Sequence, residues 1–448
     1  MSEGGGPAAR RAALAAMRIV RDGGYANLAV KQVLGPAGLS PRDAGFVTQL
    51  VYGTCRQLGT LDSIIEAAAG RPLSSLQPGV VDVLRLGAEQ LLSMRVPAHA
   101  AVAASVDLAA QQIGRRVTGV VNAILRRVAD KDWPGWLDTL AADLDGLAAL
   151  AVRTCHPRWI AEAYGNVLDA GEVEAALEAN NEIPVPVLVA RPGLMTRDEL
   201  LASGGEPTRW SQWGVVRPGD PAGASAVRDG RAGVQDEGSQ LVAMVLAAVD
   251  APAGPWLDMC AGPGGKTALL TGLARAGGEA VVAADLHPHR AALVAQALGA
   301  YFRPGPAPVM VADGLRPAWG RSFARVLVDA PCSGLGSLRR RPEARWRKAE
   351  SDLDDLVELQ KHLLRGACAS AVPGGVVAYV TCSPHLRETA GVVQAVAAGA
   401  GAEILDAPAW LPGVPGARSG GDTRFIQLWP HRHNTDAMFC ALLRVGAR

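Results

Sequence analysis

From residue 235 onward, short apolar runs alternate with helical stretches, and this alternation constrains the fold more than any other feature of the chain. The runs lie at 255–259, 281–285, 309–313, 326–328 and 375–380. Apolar strands that alternate with helices are typical of a parallel sheet covered on both faces by helices. Such open α/β sheets bind ligands outside the carboxyl ends of their strands. The residues that directly follow each run are therefore the first candidates for a functional site.

A glycine-rich turn follows the first of these strands. It comprises Cys260, Ala261, Gly262, Pro263, Gly264, Gly265 and Lys266. Cys260 stands where a Walker loop needs its first glycine, and Thr267 stands where the dinucleotide fingerprint needs glycine or alanine. An acidic residue followed by Gly-x-Gly, here Asp258 and Gly262-Pro-Gly264, fits the nucleotide-methionine loop of class I methyltransferases. A glycine loop alone also occurs as a simple tight turn.

Two further strands of this region end in carboxylates. Asp285 closes the second run, 23 residues after Gly262, and Asp313 closes the third. Asp285 is placed to accept the ribose hydroxyls of a nucleotide, as in other doubly wound folds, and Asp313 is placed to meet an adenine amino group. Each aspartate could instead cap the following helix. Three acidic residues in register at successive strand ends argue against capping alone.

The last two strands end in cysteines. Val326-Leu-Val328 leads into Asp329-Ala-Pro-Cys332, where Pro331 prevents the ladder from continuing, and the last run leads into Thr381-Cys382. Two thiols and a carboxylate at the ends of strands of one sheet could converge on one substrate. Free cysteine is more often a buried, inert residue. The functional interpretation therefore depends on the glycine loop and the aspartates that precede these strands.

Composition limits what the 448-residue chain can be. It is 49% apolar and 19% charged with a net charge of +1, which is ordinary for globular domains. Its seven cysteines are odd in number and contain no CxxC pair, which excludes a disulfide framework and a recognisable zinc site. No run reaches the length of a membrane span, and the first residues lack the pattern of a secretory signal. We expect a cytoplasmic monomer that binds neither metal nor membrane.

Residues 8–140 predict helices throughout, without strand signals, and hence a helical bundle. The segments 43–56, 84–92 and 119–127 resemble the NusB-like RNA-binding fold. Residues 1–130 hold 14 Lys and Arg against 9 Asp and Glu, a net charge of +5. Together with the resemblance, this excess favours RNA contact, although Arg126 and Arg127 could merely solvate a helix end.

Three other stretches carry further expectations. Residues 150–234 predict a small α+β connector, helical to about Ala179 with a strand at 184–191. The basic cluster that follows Cys332 favours phosphate contact over a solvated loop; it contains Arg339, Arg340, Arg341, Arg345, Arg347 and Lys348. At the carboxyl end, 424–429 and 437–443 predict an antiparallel strand pair joined by a loop over 430–436.

Together, the motifs of the carboxyl half resemble the Sun family of RNA cytosine-5 methyltransferases. They are residues 258–267, 284–290, 329–336, 341–346, 379–383 and 427–432. The resemblance implies a class I, Rossmann-like domain with S-adenosylmethionine as cofactor and 5-methylcytosine as product. It predicts that the loop from Cys260 to Lys266 binds this cofactor together with Asp285, Asp313 and Asp329. Coupled to a NusB-like amino half, it implies ribosomal RNA as the partner.

The chemistry of this reaction explains why two thiols and a carboxylate are needed. Carbon 5 of cytosine can attack a sulfonium methyl group only after a thiolate has added at carbon 6. Asp329 is suited to protonate or hydrogen-bond N3 as the adduct forms. Position alone leaves open which cysteine attacks; the resemblance assigns attack to Cys382 and release to Cys332. Lys266 could lower the pKa of a thiol or simply face solvent at the start of a helix.

The chain departs from the family pattern at two places. Gly262 stands where the family has a second alanine, a change expected only to loosen the loop. After Thr381-Cys-Ser383 the family continues with a Pro-Glu-Glu-Asn-Glu run, where this chain has Pro384-His-Leu-Arg-Glu-Thr389. Glu388 then stands for one glutamate of the family.

The sequence therefore predicts an all-α NusB-like RNA-binding domain (6–140), a small α+β connector (150–234) and a class I α/β methyltransferase domain (235–448). The enzyme should methylate carbon 5 of a cytosine in small-subunit (16S) ribosomal RNA through a covalent cysteine adduct. Two alternatives stay open: a methyltransferase for transfer RNA or another RNA, and a catalytically inactive RNA-binding factor. The presence of both cysteines and all four motif aspartates argues against the inactive factor.

Overall fold

The computed structural model describes residues 5–94 and 96–446. The chain divides into two compact units. The first comprises Met1–Gly165, Val173–Asn181 and Leu338–Lys348, and the second comprises Asn166–Glu172, Glu182–Ser337 and Ala349–Arg448. The chain thus re-enters the first unit twice, at Val173 and again after Ser337. Residues 447 and 448, the end of the third predicted domain, lie outside the described residues.

The regular elements in the described part of residues 5–181 are all helices. They are α1 (Pro7–Arg21), α2 (Ala26–Ala37), α3 (Pro41–Ala69), α4 (Pro78–Leu92), α5 (Ala98–Gln112), α6 (Thr118–Val128), α7 (Trp133–Ala141), α8 (Gly146–Arg153), α9 (Arg158–Gly165) and α10 (Ala170–Ala179). The apolar faces of α1 to α7 share one core, in which Leu14, Leu50, Ile64 and Leu84 are almost completely buried. Burial of these faces stabilises the helices far more than intrinsic propensity does. The prediction of a helical bundle is confirmed.

The segment Leu338–Lys348 belongs to the helical unit although its sequence lies within the methyltransferase region. Arg345 is completely buried there. Its guanidinium donates to the carbonyls of Cys155 and Asn180, at 2.9 and 3.1 Å, and to the side-chain oxygen of Asn181 at 2.7 Å. The prediction that Arg345 contacts phosphate is therefore wrong, because the guanidinium is used to join parts of one unit.

Two neighbours of Arg345 bind the ends of helices. Arg347 donates to the carbonyls of Val20 and Gly24, at 2.5 and 2.6 Å, at the carboxyl end of α1. Glu343 accepts from the backbone N–H of Ala26, the first residue of α2, at 3.3 Å. A cation at a helix carboxyl end and an anion at an amino end both stabilise the helix dipole. The segment thus supplies hydrogen bonds to the carboxyl end of α1 and to the amino end of α2.

The second unit contains two sheets. Its elements are β1 (Val187–Ala190), α11 (Arg197–Leu201), β2 (Glu206–Pro207), β3 (Gly214–Val216), α12 (Ser225–Arg228), β4 (Ala232–Val234), α13 (Glu237–Ala248), β5 (Trp256–Asp258), α14 (Gly265–Ala276), β6 (Val281–Asp285), α15 (Pro288–Phe302), β7 (Val309–Val311), β8 (Phe323–Asp329), α16 (Ala344–Arg347, in the first unit), α17 (Leu353–Ser370), β9 (Ala371–Thr381), α18 (Ala390–Ala397), β10 (Ala402–Ile404), β11 (Ile426–Gln427), α19 (Pro430–His433) and β12 (Phe439–Val445). The smaller sheet is antiparallel, with the order β2-β3-β1-β4. Its strand β1 is shorter than predicted because Pro184 and Pro186 cannot donate to a ladder.

The larger sheet has the strand order β10-β12-β9-β8-β5-β6-β7. Strands β9, β8, β5, β6 and β7 are parallel. The chain moves outward from β5 through β6 to β7 and then returns to β8 on the other side of β5. This reversal creates a topological switch point between β5 and β8, where open α/β sheets bind ligands. The predicted Rossmann-like domain is confirmed.

The carboxyl end of the chain completes this sheet. Strand β12 pairs antiparallel with both β9 and β10, and β11 pairs with β12 over two residues. The antiparallel pairing agrees with the prediction, but Pro430–His433 forms a helical turn rather than a loop. Pro430 stands at the first position of that turn, where its missing N–H is tolerated.

Candidate active site

The glycine-rich loop leads from β5 into α14 at the switch point. Gly264 has φ 104°, a left-handed conformation that favours glycine. The N–H of Gly262 donates to Oδ2 of Asp285 at 2.9 Å. A Cβ atom on Gly262 would lie only 2.5 Å from that oxygen and from Nε of Arg290. The expectation that Gly262 merely loosens the loop is therefore wrong: its missing side chain makes room for the two charged groups.

Asp258 ties the end of β5 to the start of α14. It is almost fully buried, and its Oδ2 accepts from the Thr267 hydroxyl at 2.7 Å. Burial raises the pKa of Asp258 to about 7. Asp258 thus positions the end of the glycine loop through the Thr267 hydroxyl, a partner that the sequence did not indicate.

The two predicted nucleotide-binding aspartates lie at the ends of β6 and β7, the strands beyond β5 in the sheet. Asp285 ends β6, is buried, and accepts from the N–H of His287 at 2.9 Å through Oδ1. Asp313 follows β7 by two residues and accepts from the N–H of Leu315 at 2.9 Å. Both carboxylates therefore shape turns rather than cap a helix, because the N-cap of α15 is His287 and no helix stands between β7 and β8 in this described part of the chain; they remain at the ligand-binding edge of the sheet. Leu286 is 55% exposed beside Asp285, which leaves apolar surface next to the carboxylates.

Gln235 is a polar residue of this region that the sequence did not single out. Only 8% of the residue is exposed. Its side chain lies 3.7 Å from the position that a Cβ atom on Gly265 would take. Neither polar atom of its amide has a hydrogen-bond partner among the described residues. A buried, unpaired amide is costly, so its position at the amino end of α14 indicates a group that takes a polar ligand.

The structure brings the two cysteines together. Cys332 and Cys382 follow the neighbouring strands β8 and β9, and their Sγ atoms lie 3.5 Å apart. The hydrogen bond from the Cys332 thiol lowers the pKa of Cys382 although burial opposes this change. The same hydrogen bond and burial raise the pKa of Cys332. The hydrogen bond therefore makes Cys382 the more acidic sulfur of the pair.

Lys266 and Asp329 form an ion pair beside the sulfurs. The Lys266 ammonium donates to Oδ2 of Asp329 at 2.8 Å, and only 13% of the lysine side chain is exposed. Burial opposes the charge on Lys266, but the Asp329 carboxylate outweighs it and raises the lysine pKa. The lysine charge also lowers the pKa of Cys382. Lys266 thus faces the site rather than solvent.

Two further properties of the described residues concern membranes and metal ions. None of the helices in 5–94 and 96–446 has the length and apolar character to cross a membrane. Within the same ranges, no group of three or more His, Cys, Asp or Glu side chains is arranged to hold a metal ion.

Comparison with known proteins agrees with this arrangement. Residues 243–444 match the family described as 16S rRNA methyltransferase RsmB/F, and residues 7–130 match the NusB family. The chain is 48% identical to "Putative methyltransferase MT1451" of Mycobacterium tuberculosis, over 97% of this chain and 96% of that protein. It is 31% identical to "Ribosomal RNA small subunit methyltransferase B" of Cronobacter sakazakii, over 87% of this chain and 91% of that protein.

Solved structures share the fold. The crystal structure of PH0851 superposes with a TM-score of 0.81 at 21% identity and covers 98% of both chains. That of NSun6 from Pyrococcus horikoshii with SFG superposes with a TM-score of 0.55 at 18% identity, over 65% of this chain and 98% of that chain. The resemblances inferred from the sequence motifs are confirmed by the family matches. The chain belongs to the 16S rRNA methyltransferase RsmB/F family and is an RNA methyltransferase with an amino-terminal NusB domain.

Proposed function

We propose that this enzyme methylates carbon 5 of a cytosine in small-subunit (16S) ribosomal RNA, with S-adenosylmethionine as the methyl donor and a transient covalent bond between Cys382 and the base. The observation that carries the proposal is the 3.5 Å separation of the Cys332 and Cys382 sulfurs beside the ion pair of Lys266 and Asp329. Two thiols of opposite protonation state are what addition to a pyrimidine and its reversal require.

The residues at the switch point fit the proposed cofactor. The glycine loop from Cys260 to Lys266 brings backbone close to a ligand, and Asp285 and Asp313 offer acceptors to a nucleoside. The unpaired amide of Gln235 supplies a donor and an acceptor at the amino end of α14 for a charged amino-acid group. When bound, S-adenosylmethionine supplies an electrophilic methyl group. The protein binds and orients this group, and its own residues activate the base.

Cys382 is proposed to add to carbon 6 of the cytosine. A bond forms between Sγ and carbon 6, and the electron pair of the ring double bond moves toward N3. Asp329 stabilises the charge that develops there by protonating or hydrogen-bonding N3; 30% of its side chain is exposed, and Lys266 already holds one of its oxygens. Carbon 5 thereby becomes the nucleophile that takes the methyl group.

Cys332 is proposed to act in the release of the product. After methyl transfer the proton on carbon 5 passes to the Cys332 sulfur, which has given up its own proton to solvent while Cys382 is bound to the base. The double bond re-forms, the bond from Sγ of Cys382 to carbon 6 breaks, and Cys382 leaves as a thiolate. This step needs a second group close to the first sulfur, and the Cys332 thiol lies there. The thiol first stabilises the Cys382 thiolate by its hydrogen bond and later assists its departure.

Mapping of 5-methylcytosine in ribosomal RNA tests the proposal. A strain that lacks this gene should lose the modification at one 16S position. The wild-type gene should restore it, and Cys382→Ala should not. Loss of 5-methylcytosine from transfer RNA with an unchanged 16S pattern would assign the enzyme to another RNA. An unchanged pattern in all RNA would favour an inactive RNA-binding factor. A cytoplasmic monomer remains the prediction for its location and state.

A further inference from the structure

Glu388 joins the two segments that carry the sulfurs. It is completely buried in the turn that follows Cys382. Its Oε1 accepts from the N–H of Ser333 at 2.7 Å, and its Oε2 accepts from the hydroxyls of Ser333 and Ser383 at 2.5 and 2.7 Å. Ser333 directly follows Cys332, and Ser383 directly follows Cys382. One carboxylate thus connects two serines that lie 50 residues apart in the sequence.

Two further side chains hold this carboxylate in place. Gln360 of α17 donates to Oε1 of Glu388 at 3.0 Å and to the carbonyl of Pro331 at 2.9 Å. The Tyr379 hydroxyl of β9 donates to the Glu388 carbonyl at 2.8 Å. Ser333, Ser383 and Gln360 thus supply four hydrogen bonds to the carboxylate, one for each acceptor position. A buried carboxylate held by four donors has little freedom to move.

The charges around the sulfurs are distributed unevenly. The charged and titratable groups that act on the two thiols are Lys266, Asp329, Tyr379, Glu388 and Asp436. At Cys382 the carboxylates of Asp329 and Asp436 oppose a thiolate and Lys266 favours it, whereas at Cys332 the negative charge of Glu388 opposes a thiolate. The same carboxylate that fixes the distance between the segments therefore also distinguishes the two sulfurs.

We propose that Glu388 is a positioning residue for methyl transfer. Its carboxylate fixes the segment after Cys332 against the segment after Cys382, and its charge keeps the shared proton on Cys332 so that Cys382 is the nucleophile. This inference rests on the proposed function, in which Cys382 attacks and Cys332 assists release. Glu388 needs no contact with RNA or cofactor for this role.

Thiol alkylation of the full-length protein tests the charge role without RNA or cofactor. Limiting iodoacetamide is added across a pH series, and mass spectrometry measures the label on each cysteine. In the wild type, the label should appear first on Cys382. Glu388→Gln keeps the shape but removes the charge, so the share of label on Cys332 should rise about fivefold or more, and labelling should begin at lower pH. A labelling pattern identical to that of the wild type would overturn the proposal.

Methyl transfer under single-turnover conditions tests the positioning role. Glu388→Gln should lower the rate about tenfold or more, while the affinities for S-adenosylmethionine and for a 16S RNA fragment stay within about twofold of wild type. Glu403→Gln is the matched control, because Glu403 is exposed on β10 of the same sheet. It should change neither the rate nor the labelling.

A shorter acid separates geometry from charge and covers the case in which Glu388→Gln does not fold. Glu388→Asp keeps the negative charge but cannot reach both serines, so it should transfer methyl slowly and still be labelled first at Cys382. A wild-type rate in Glu388→Asp would overturn the positioning role. If the wild-type enzyme itself fails to methylate 16S RNA, the proposed substrate is wrong, yet the labelling of the two thiols still decides the role of Glu388.

Discussion

The two cysteines differ in their surroundings more than in their positions on the sheet. Both follow a strand end, and the 3.5 Å contact between them makes them a single unit. Lys266 lies on the side of Cys382 and Glu388 on the side of Cys332. We therefore expect the two sulfurs to serve opposite steps of one reaction, because the hydrogen bond between them lowers the pKa of Cys382 and raises the pKa of Cys332.

Alanine substitution should separate these steps. Cys382→Ala cannot form the adduct, so methyl transfer should vanish while S-adenosylmethionine still binds. Cys332→Ala should still attack and methylate but fail to release the RNA, and it should accumulate a covalent complex visible as a denaturant-resistant band on a gel. Cys55→Ala is the control, since that buried thiol lies on α3 in the first unit. Trapping by Cys382→Ala instead would reverse the assignment.

Gln235 offers a second prediction at the scale of one residue. Its amide is buried without a partner among the described residues, so the free protein bears the cost of desolvating it. Gln235→Leu removes that cost and should raise the melting temperature slightly, yet it should weaken S-adenosylmethionine binding by about 1 kcal/mol because a hydrogen bond to the ligand is lost. Calorimetry of unfolding measures the change in melting temperature, and calorimetry of binding measures the change in affinity for S-adenosylmethionine. Unchanged affinity would remove Gln235 from the cofactor site.

At the scale of elements, the segment Leu338–Lys348 belongs to the helical unit although it lies within the methyltransferase sequence. Trp346 reinforces the contacts of Arg345 and Arg347, because its indole N–H donates to the carbonyl of Arg56 at 3.0 Å. Gly59 of α3 lies where a Cβ atom would meet the Trp346 ring at 2.2 Å. The segment is thus packed against α3 as closely as a core element, and it should contribute to the stability of the first unit.

Arg345→Met tests this contribution. Methionine keeps most of the apolar stem but leaves the carbonyls of Cys155 and Asn180 without their donor. Each buried group that loses its partner costs about 1–3 kcal/mol, so urea unfolding of the full chain should show a loss of that order or more. Arg341→Met is the control: Arg341 is exposed over the Tyr25 ring, and its loss should cost less than about 0.5 kcal/mol. Equal effects of both substitutions would mean that the segment is only a surface loop.

The sequence predicts what depends on local pattern and misses what depends on distant contacts. The strands that carry Asp258, Asp285 and Asp329 could be predicted because short apolar runs with turn signals have few other solutions. The roles of Arg345 and Glu388 could not, because each is defined by partners on other elements. A basic cluster looks the same in a sequence whether it meets phosphate or main-chain carbonyls, and only tertiary structure distinguishes the two.

At the scale of the whole molecule, the chain combines a NusB domain with a methyltransferase domain in one polypeptide. Deleting the amino half is a poor test of its function, because Leu338–Lys348 would lose the unit to which it belongs. Arg345 and Trp346 would then be left without their partners, and any loss of activity could reflect misfolding. Point substitutions on the exposed surface of the helical unit in the full chain avoid this problem.

Arg126 is suited to such a test. It is exposed near the carboxyl end of α6, and its Nε contacts only the nearby Asn122 side chain at 3.3 Å. If the helical unit supplies affinity through phosphates, Arg126→Ala should weaken binding of a 16S fragment and reduce the slope of log K against log salt by about 0.7–0.9, the value for one phosphate contact. Cofactor affinity and alkylation of Cys382 should not change, because they belong to the second unit.

Lys31→Ala, on the exposed surface of α2, is the matched control for the loss of one positive charge. An unchanged salt slope in Arg126→Ala, or the same reduction in Lys31→Ala, would show that Arg126 makes no specific phosphate contact.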